Sequence, residues 1–148
     1  MEGTTIENEI RTGSVAELAV ASRLVELGYT VGWPLNTSRY DLLVEKDGRV
    51  RRIQVKGANI SPRHSYRFGV QFGSKGNRRT YKKKDCDFIV FYAPYSKDFP
   101  DLVEDGFYVV PVSALGGRAM VILFPAGKGR GNVRLCSWEK YKDGWKSI

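Results

Sequence analysis

The sequence predicts a single α/β domain of the α+β kind, with a mixed β-sheet, flanking helices and an N-terminal helix that precedes a hairpin. Three observations support this fold class: one amphipathic stretch near the N-terminus, several short apolar runs after it, and an Asp-Gly pair between two of those runs. The 148 residues have the size of one domain, so residues 1–148 are expected to fold around one core.

The first predicted element is a helix that begins near Ser14 and ends at Leu27. Ser14 is a favourable N-cap, Glu17 completes the Ser-x-x-Glu capping-box pattern, and Gly28 suits the position after the helix. At about 100° per residue, Glu17 falls on the apolar side of this helix, which also carries Val20, Ala21 and Leu24. Two interpretations follow: Glu17 caps the backbone at Ser14, or its carboxylate faces a cleft as a metal ligand or acid/base group.

A β-hairpin is predicted next. Asp47-Gly48 separates two strand-like runs, 39–45 and 50–56, and Asp-Gly between such runs is typical of a two-residue turn. Counting outward from that turn places Asp41 directly opposite Gln54, with their β-carbons about 5 Å apart. Since side chains alternate along a strand, Gln54 and Lys56 share one face of the hairpin with Asp41.

Further strands are predicted in the rest of the chain. Apolar residues at positions 66, 68, 70 and 72 alternate with other residues, as in a strand with one buried face. Apolar runs at 87–93, 107–112 and 120–124 predict three more strands, with a short helical turn near Ser113. The tail, 137–146, is expected to form a short helix.

An aspartate, an amide oxygen and a lysine on one face are groups that metal-assisted hydrolysis of a phosphodiester requires. Oxygen ligands bind a hard cation such as Mg²⁺, which activates water and stabilises charge on the phosphate. The lysine can hold or deprotonate that water. The same pattern also fits a surface hairpin with an Asp–Lys ion pair worth about 0–1 kcal/mol, and spacing alone leaves both interpretations open.

The positive charge of the chain is concentrated in one segment. The formal net charge is +8, yet residues 49–84 hold twelve of the 24 Lys/Arg and none of the 16 Asp/Glu, so the remainder is net negative. Gly73, Gly76 and Asn77 interrupt this segment, which favours a flexible loop over a helix. Such a segment is typical of a phosphate-binding surface, although a solvated loop has the same composition. The predicted DNA-binding residues are Arg63, Arg67, Lys75, Arg78, Arg79, Lys82, Lys83 and Lys84.

The composition excludes several kinds of site. One histidine, His64, cannot form a two-histidine centre, and Cys86 and Cys136 cannot build a four-cysteine zinc site or a disulfide framework. No apolar run approaches the roughly 18 residues of a membrane span, and the N-terminus lacks the apolar region of a signal peptide. A cytoplasmic location and no membrane partner are therefore expected.

Three segments, taken in order, resemble the PD-(D/E)XK nuclease superfamily. They are Gly13-Ser14-Val15-Ala16-Glu17, Ser38-Arg39-Tyr40-Asp41-Leu42-Leu43 and Ile53-Gln54-Val55-Lys56, and the later stretch 81–111 is similar as well. The similarity is greatest to the small members of the superfamily, namely the intron-encoded homing endonucleases and the archaeal-type Holliday junction resolvases. It covers roughly residues 13–115 and implies a restriction-endonuclease-like core.

The resemblance implies a role for each matching position. Glu17 matches the acid of the first helix, Asp41 the metal-binding aspartate and Lys56 the catalytic lysine. Gln54 stands where most members have Asp or Glu; its neutral amide still coordinates a cation but attracts it less, and some homing endonucleases carry Gln here. The implied catalytic residues are Glu17, Asp41, Gln54 and Lys56, and the implied metal ligands are Glu17, Asp41, Gln54 and Val55.

The implied function is hydrolysis of phosphodiester bonds in double-stranded DNA by a Mg²⁺-dependent (or Mn²⁺-dependent) endonuclease with no organic cofactor. A homing-type enzyme is the leading interpretation, and a junction resolvase acting on branched DNA is the second. The third is a catalytically silent DNA-binding module with the same fold. Because a symmetric DNA substrate presents two strands to cut, a homodimer or a dimer of dimers is expected.

Overall fold

A five-stranded mixed sheet forms the centre of the fold. The computed structural model describes residues 5–61, 65–96, 104–123 and 138–148. The sheet contains β1 (Thr30–Gly32), β2 (Leu42–Lys46), β3 (Arg49–Gly57), β8 (Phe88–Ala93) and β9 (Gly106–Pro111), in the spatial order β1-β2-β3-β8-β9. β3 and β8 run parallel, whereas the other neighbouring pairs are antiparallel.

One long helix, α1 (Thr5–Glu26), covers one face of this sheet. Its apolar stripe packs in one core with residues of β2 and β3; the members are Ala16, Val20, Ala21, Leu24, Leu42, Val44, Ile53 and Val55. The helix ends as predicted, because Gly28 takes up φ 88° in the left-handed region. The N–H groups of Gly28 and Tyr29 donate to the carbonyls of Val25 and Leu24 at 3.0 Å each, which is a Schellman motif.

The start of α1 differs from the prediction. The helix begins at Thr5, so Ser14 lies inside it and the capping-box prediction is wrong. The Thr12 hydroxyl donates to the carbonyl of Asn8 at 2.8 Å, as in a continuous helix. Gly13 inside a helix costs about 1 kcal/mol relative to alanine, and α1 is continuous through this position. Glu17 therefore does not serve as a capping residue.

A smaller sheet covers the other face of the central sheet. It contains β4 (Asn59–Ser61), β5 (Ser65–Gly69) and β10 (Met120–Leu123) in the order β10-β5-β4. A second core lies between the two sheets and includes Tyr66, Phe68, Ile89, Phe91, Val110, Val121 and Leu123. The predicted α/β class with a mixed sheet is confirmed, and in the described part of the chain strands rather than a helix cover this second face.

The basic segment contains a short hairpin that the sequence pattern did not predict. β6 (Gln71–Phe72) pairs antiparallel with β7 (Arg79–Thr80). Gly73 and Gly76 in the connection take up φ of 102° and 86°. The segment is non-helical, as expected, but its base is fixed by strand pairing and is not a simple loop.

Some of the remaining predictions are confirmed with small shifts and others are wrong: the predicted strand at positions 66–72 is divided between β5 and β6, and β1 and β4 were not predicted. The runs at 87–93 and 107–112 form β8 and β9, and a 3-10 turn follows at Val112–Leu115. β2 begins at Leu42, three residues later than predicted. The tail forms two 3-10 turns, Glu139–Tyr141 and Trp145–Ser147, because the positive φ of Asp143 (51°) interrupts the predicted helix. Within the described ranges, no helix is long and apolar enough to cross a membrane.

Candidate active site

The β2–β3 hairpin places Asp41 beside Gln54 and Val55. Asp47 and Gly48 have φ of 53° and 77°, as a type I′ turn requires. The pairing then runs from Lys46 opposite Arg49 to Leu42 opposite Ile53, which confirms the predicted register. Asp41 immediately precedes β2, and its Oδ2 accepts hydrogen bonds from Gln54 Nε2 at 2.6 Å and from the Val55 N–H at 2.8 Å.

The Gln54 side chain bridges two oxygen atoms. Its amide nitrogen donates both to Asp41 Oδ2 and to the Val55 carbonyl, the latter at 3.2 Å. The side chain is buried on the sheet face opposite to α1, with 8% exposure. A half-turn of the amide group would exchange its nitrogen for its oxygen. Gln54 can therefore either satisfy these two oxygens or join them as a third oxygen ligand.

Glu17 reaches the same site from α1. The helix approaches β3 closely at Gly57, where a β-carbon would lie 3.1 Å from the Thr12 carbonyl oxygen and 3.2 Å from the Ala16 β-carbon. This approach brings the half-buried Glu17 within electrostatic range of Asp41, and the side chain of Trp33 donates a hydrogen bond to its carboxylate. The structure thus gives Glu17 a partner in the site instead of a capping role.

The pKa values of both carboxylates of the site are raised. Burial, followed by the negative charge of Asp41, raises the pKa of Glu17 against the opposing hydrogen bond from Trp33. Burial also raises the pKa of Asp41, while the Val55 N–H and the charge of Lys56 oppose that rise. A cation shared by the two carboxylates would relieve this destabilisation of their charged forms.

The oxygen atoms of this site suit a hard divalent cation. Glu17 and Asp41 offer carboxylates, Val55 a carbonyl and Gln54 an amide oxygen, which is the chemistry that Mg²⁺ and Mn²⁺ prefer. In the part of the chain that the structure describes, no group of three His, Cys, Asp or Glu residues lies together. The amide and the backbone carbonyl would therefore have to complete the ligand set.

Lys56 completes the cluster from β3. It lies two residues after Gln54 on the same face, and its charge acts on Asp41. Its Nζ sits over the ring of Tyr81, 5.1 Å from the centroid. Cation–π contact of this kind holds an ammonium group while leaving its N–H donors available. The structure therefore brings together all four residues predicted as catalytic.

The predicted DNA-binding cations are exposed where the structure describes them. They are Arg67 on β5, Lys75 and Arg78 in the β6–β7 connection, Arg79 on β7, and Lys82, Lys83 and Lys84 in the turn before β8. Arg63 lies outside the described residues. Exposure leaves these side chains accessible to phosphate groups.

Arg52 has a different role from these exposed cations. Its guanidinium donates to the carbonyls of Lys83 and Lys84 at 2.7 and 2.8 Å, and it pairs with Asp87 at 3.3 Å. The backbone N–H of Arg52 also donates to Asp87 Oδ2 at 2.8 Å. Arg52 thus joins β3 to the turn that carries the three lysines.

A family model described as "PD-(D/E)XK endonuclease" matches residues 7–132, a range that contains the whole cluster. The chain belongs to the PD-(D/E)XK endonuclease family. Its members are nucleases, so the protein is a nuclease and DNA is the substrate that this membership implies.

Two similar proteins agree with this family. A solved structure of a bacterial homing endonuclease, I-Ssp6803I, superposes with a TM-score of 0.75 at 25% identity, covering 99% of this chain and 93% of that chain. The chain is also 38% identical over 80 residues to "Protein 5.3" of Escherichia phage T7, covering 53% of this chain and 67% of that protein. The first similarity supports a restriction-endonuclease-like core in this PD-(D/E)XK protein.

Sequence reasoning missed three residues of the site. Trp33 is 52% exposed, yet its side chain bonds to Glu17. Tyr81 lies beneath Lys56, and Gly57 allows α1 to approach β3. No local pattern marks these positions, because each one acts through a residue that is distant along the chain. Their immediate sequence neighbours give only a weak indication. Trp33 precedes a proline, Tyr81 precedes three lysines, and Gly57 lies at the end of a strand.

Proposed function

We propose that this PD-(D/E)XK protein is a homing-type endonuclease that cuts double-stranded DNA and depends on a divalent cation. The observation that carries the proposal is the Gln54 amide, which bridges the Asp41 carboxylate and the Val55 carbonyl beside Glu17 and Lys56. The similarity to a bacterial homing endonuclease over 99% of the chain supports the homing type over other nucleases of the family.

The cation would be Mg²⁺ or Mn²⁺, held by Asp41, the Val55 carbonyl, the Gln54 amide oxygen and Glu17. When bound, it supplies Lewis-acid stabilisation of the phosphate and a more acidic water molecule. In the structure the Gln54 amide nitrogen lies between Asp41 Oδ2 and the Val55 carbonyl oxygen. To bind the cation, Gln54 would turn its amide so that the oxygen takes that position. One fewer negative charge than in an Asp or Glu site implies weaker cation binding.

The side chains of the cluster orient the reacting groups and offset their charge. The hydrogen bond from the Val55 N–H to Asp41 Oδ2 does not depend on how the Gln54 amide is turned, so it would hold the Asp41 carboxylate before substrate arrives and reduce the cost of ordering the site. The Lys56 ammonium offsets the negative charge that develops on the scissile phosphate and can donate a hydrogen bond to the attacking water. The Glu17 carboxylate would share the cation with Asp41, and the charge of the cation would offset the rise in pKa that burial and Asp41 give Glu17.

The exposed cations would bind the DNA backbone. Arg67, Lys75, Arg78, Arg79 and the Lys82–Lys84 turn carry positive charge on both sides of the β6–β7 hairpin. Contacts of this kind give affinity without sequence selectivity, because they are made to phosphates.

A homodimer or dimer of dimers would supply a second active site for the second strand. Light scattering of the protein at micromolar concentration tests that part of the proposal.

Cleavage of supercoiled plasmid tests the proposed activity. We expect the wild-type protein to convert supercoiled plasmid to nicked and linear forms with Mg²⁺ or Mn²⁺ and to leave it intact with EDTA. Asp41→Asn should abolish cleavage, because it removes a ligand charge, while gel-shift affinity for DNA stays near that of the wild type. Asp47→Asn, which removes one charge from the exposed hairpin turn, is the matched control and should cut normally.

Other outcomes would identify a different function. If the wild-type protein binds DNA but never cuts it with any divalent cation, it is a catalytically silent DNA-binding module. If it cuts a four-way junction much faster than a linear duplex, it is a resolvase of branched DNA. A loss of DNA binding in Asp41→Asn as large as its loss of cleavage would contradict the role assigned to Asp41.

A further inference from the structure

A basic cleft lies beside the proposed active site. Its volume is about 500 Å³, and Phe72 and Thr80 line it together with charged residues. Five of those are cations and one is an acid: Arg39, Arg78, Arg79, Lys82, Lys84 and Asp85. Cations gathered at this density repel one another unless an anion enters among them.

The one acid of the cleft is already engaged. Asp85 Oδ2 accepts a hydrogen bond from the Lys82 N–H at 2.9 Å, and the Asp85 N–H donates to the Lys82 carbonyl at 2.8 Å, so Asp85 closes its own turn. The two ion pairs formed within the described ranges are Arg23–Glu26 and Arg52–Asp87, and neither includes a cation of the cleft. Among the residues that the structure describes, the five cations of the cleft are exposed and none of them forms an ion pair.

Arg39 is the cation of this cleft that the fold holds in place. Its guanidinium stacks over the ring of Phe72, 4.2 Å from the centroid. The Ser38 hydroxyl donates to the Tyr40 carbonyl at 2.5 Å, and Tyr40 packs against the second core. Two residues of extended chain span at most about 7 Å, so the backbone of Arg39 lies close to that of Asp41. Neighbouring phosphates along one strand are separated by a comparable distance, so Arg39 lies near enough to the catalytic cluster to reach a phosphate next to the one that is cut.

The cleft and the cluster share an aromatic support. Phe72 meets Tyr81 edge-to-face, with ring centroids 4.9 Å apart, and Tyr81 carries Lys56 on its ring. Arg39, Phe72, Tyr81 and Lys56 thus form one continuous series of contacts. An anion bound by Arg39 would have a defined position relative to Lys56.

We propose that this cleft is the subsite for a backbone phosphate of the DNA strand adjacent to the phosphate that is cut, with Arg39 as its fixed cation. The proposal rests on the proposed endonuclease function and adds to it a contact that orders the strand in the active site. A planar guanidinium held on a ring loses little side-chain freedom when it binds a phosphate oxygen.

Salt-dependent binding to a short linear duplex in Ca²⁺ buffer tests the contact. Arg39→Ala should lower affinity about three- to tenfold and make the slope of log K against log salt shallower by about one. Arg23→Ala is the matched control, because it removes the same charge from an exposed position next to acidic residues. Phe72→Tyr should keep the wild-type salt slope because the ring remains. Phe72→Leu should lower the affinity and make the slope shallower, by less than Arg39→Ala does. Circular dichroism and melting temperature verify that each variant folds.

Neutral phosphate substitution tests the position. A methylphosphonate is placed at each phosphate around the cut that plasmid cleavage maps. A methylphosphonate at one adjacent position should weaken DNA binding by the wild type. It should not weaken binding by Arg39→Ala any further, since the two changes remove the same contact. The proposal is overturned if Arg39→Ala and Arg23→Ala show the same salt slope of DNA binding. It is also overturned if the loss of affinity in Arg39→Ala adds to the loss caused by a methylphosphonate at every position tested. A wild-type protein that binds but never cuts would refute the endonuclease function separately and leave the slopes readable.

Discussion

Replacing Arg52 by alanine should destabilise the fold and displace the basic turn. The guanidinium donates to the carbonyls of Lys83 and Lys84 and pairs with Asp87, so a single side chain connects β3 with the turn before β8. Alanine removes these contacts and leaves the backbone bond between Arg52 and Asp87 in place. The change therefore isolates the contribution of the side chain.

The expected loss is about 2 kcal/mol. Two hydrogen bonds to carbonyls contribute roughly 0.5–1 kcal/mol each, since the carbonyls lie in an exposed turn that water can reach after the change. The side chains of Arg52 and Asp87 are 31% and 21% exposed, so solvent screening limits their pair to about 0–1 kcal/mol. For a domain of this size, a loss of about 2 kcal/mol lowers the melting temperature by roughly 4–8 °C.

Arg51→Ala is the matched control. Arg51 is the neighbouring residue on β3, and its guanidinium donates to the adjacent Val50 carbonyl at 3.3 Å. Its removal should change the free energy of unfolding by no more than about 0.5 kcal/mol. Urea unfolding of the three proteins measures the difference. Equal midpoints for Arg52→Ala and Arg51→Ala would refute the assignment of Arg52 as a tie between β3 and the turn.

The effect of Arg52→Ala should depend on pH. Burial tends to raise the pKa of Asp87, but hydrogen bonds from the Arg52 side chain and backbone outweigh it, and the net pKa is lowered. A lowered pKa in the folded state stabilises the protein above the unfolded value of about 3.9, and this stabilisation is lost as pH falls through the folded value. The difference in the free energy of unfolding between wild type and Arg52→Ala should therefore have its largest value at pH 7 and decrease below about pH 4. A difference that stays constant down to pH 2 would contradict it.

Three further changes test the site and the DNA surface. Gln54→Glu should lower the Mg²⁺ concentration for half-maximal cleavage because it adds a ligand charge, and an unchanged Mg²⁺ titration would count against it. Alanine at all three positions of Lys82–Lys84 should make the salt slope of duplex binding shallower by up to about three without changing sequence discrimination; the wild-type slope would show that the turn faces away from DNA. Tyr81→Leu should lower kcat more than it raises KM by releasing Lys56, and Tyr81→Phe should restore kcat because the ring remains.

The hairpin of the site could be predicted because its determinants are local. Asp47-Gly48 favours one turn type, and that turn fixes every pair up to Leu42 opposite Ile53. The proximity of Asp41 to Gln54 follows from this register alone. The end of α1 was predictable for the same reason, since Gly28 supplies the left-handed residue of a helix terminus.

The start of α1 and the supports of the site could not be predicted. Ser14 and Glu17 fit a capping box, but the helix continues through Gly13 to Thr5, which a local pattern does not exclude. Trp33 and Tyr81 acquire their partners through contacts between distant parts of the chain. Spacing along the sequence carries no signal for such contacts, since tertiary packing determines them.

Calorimetric titration with Mn²⁺ tests most directly whether the four-residue cluster is a cation site. We expect the wild-type protein to bind Mn²⁺, Asp41→Asn to lose that binding, and Gln54→Glu to bind more tightly. Asp47→Asn, the charge-matched control in the hairpin turn, should bind as the wild type does. Equal Mn²⁺ affinity for the wild type and Asp41→Asn would contradict the account, because the cation would then occupy a site that does not include Asp41.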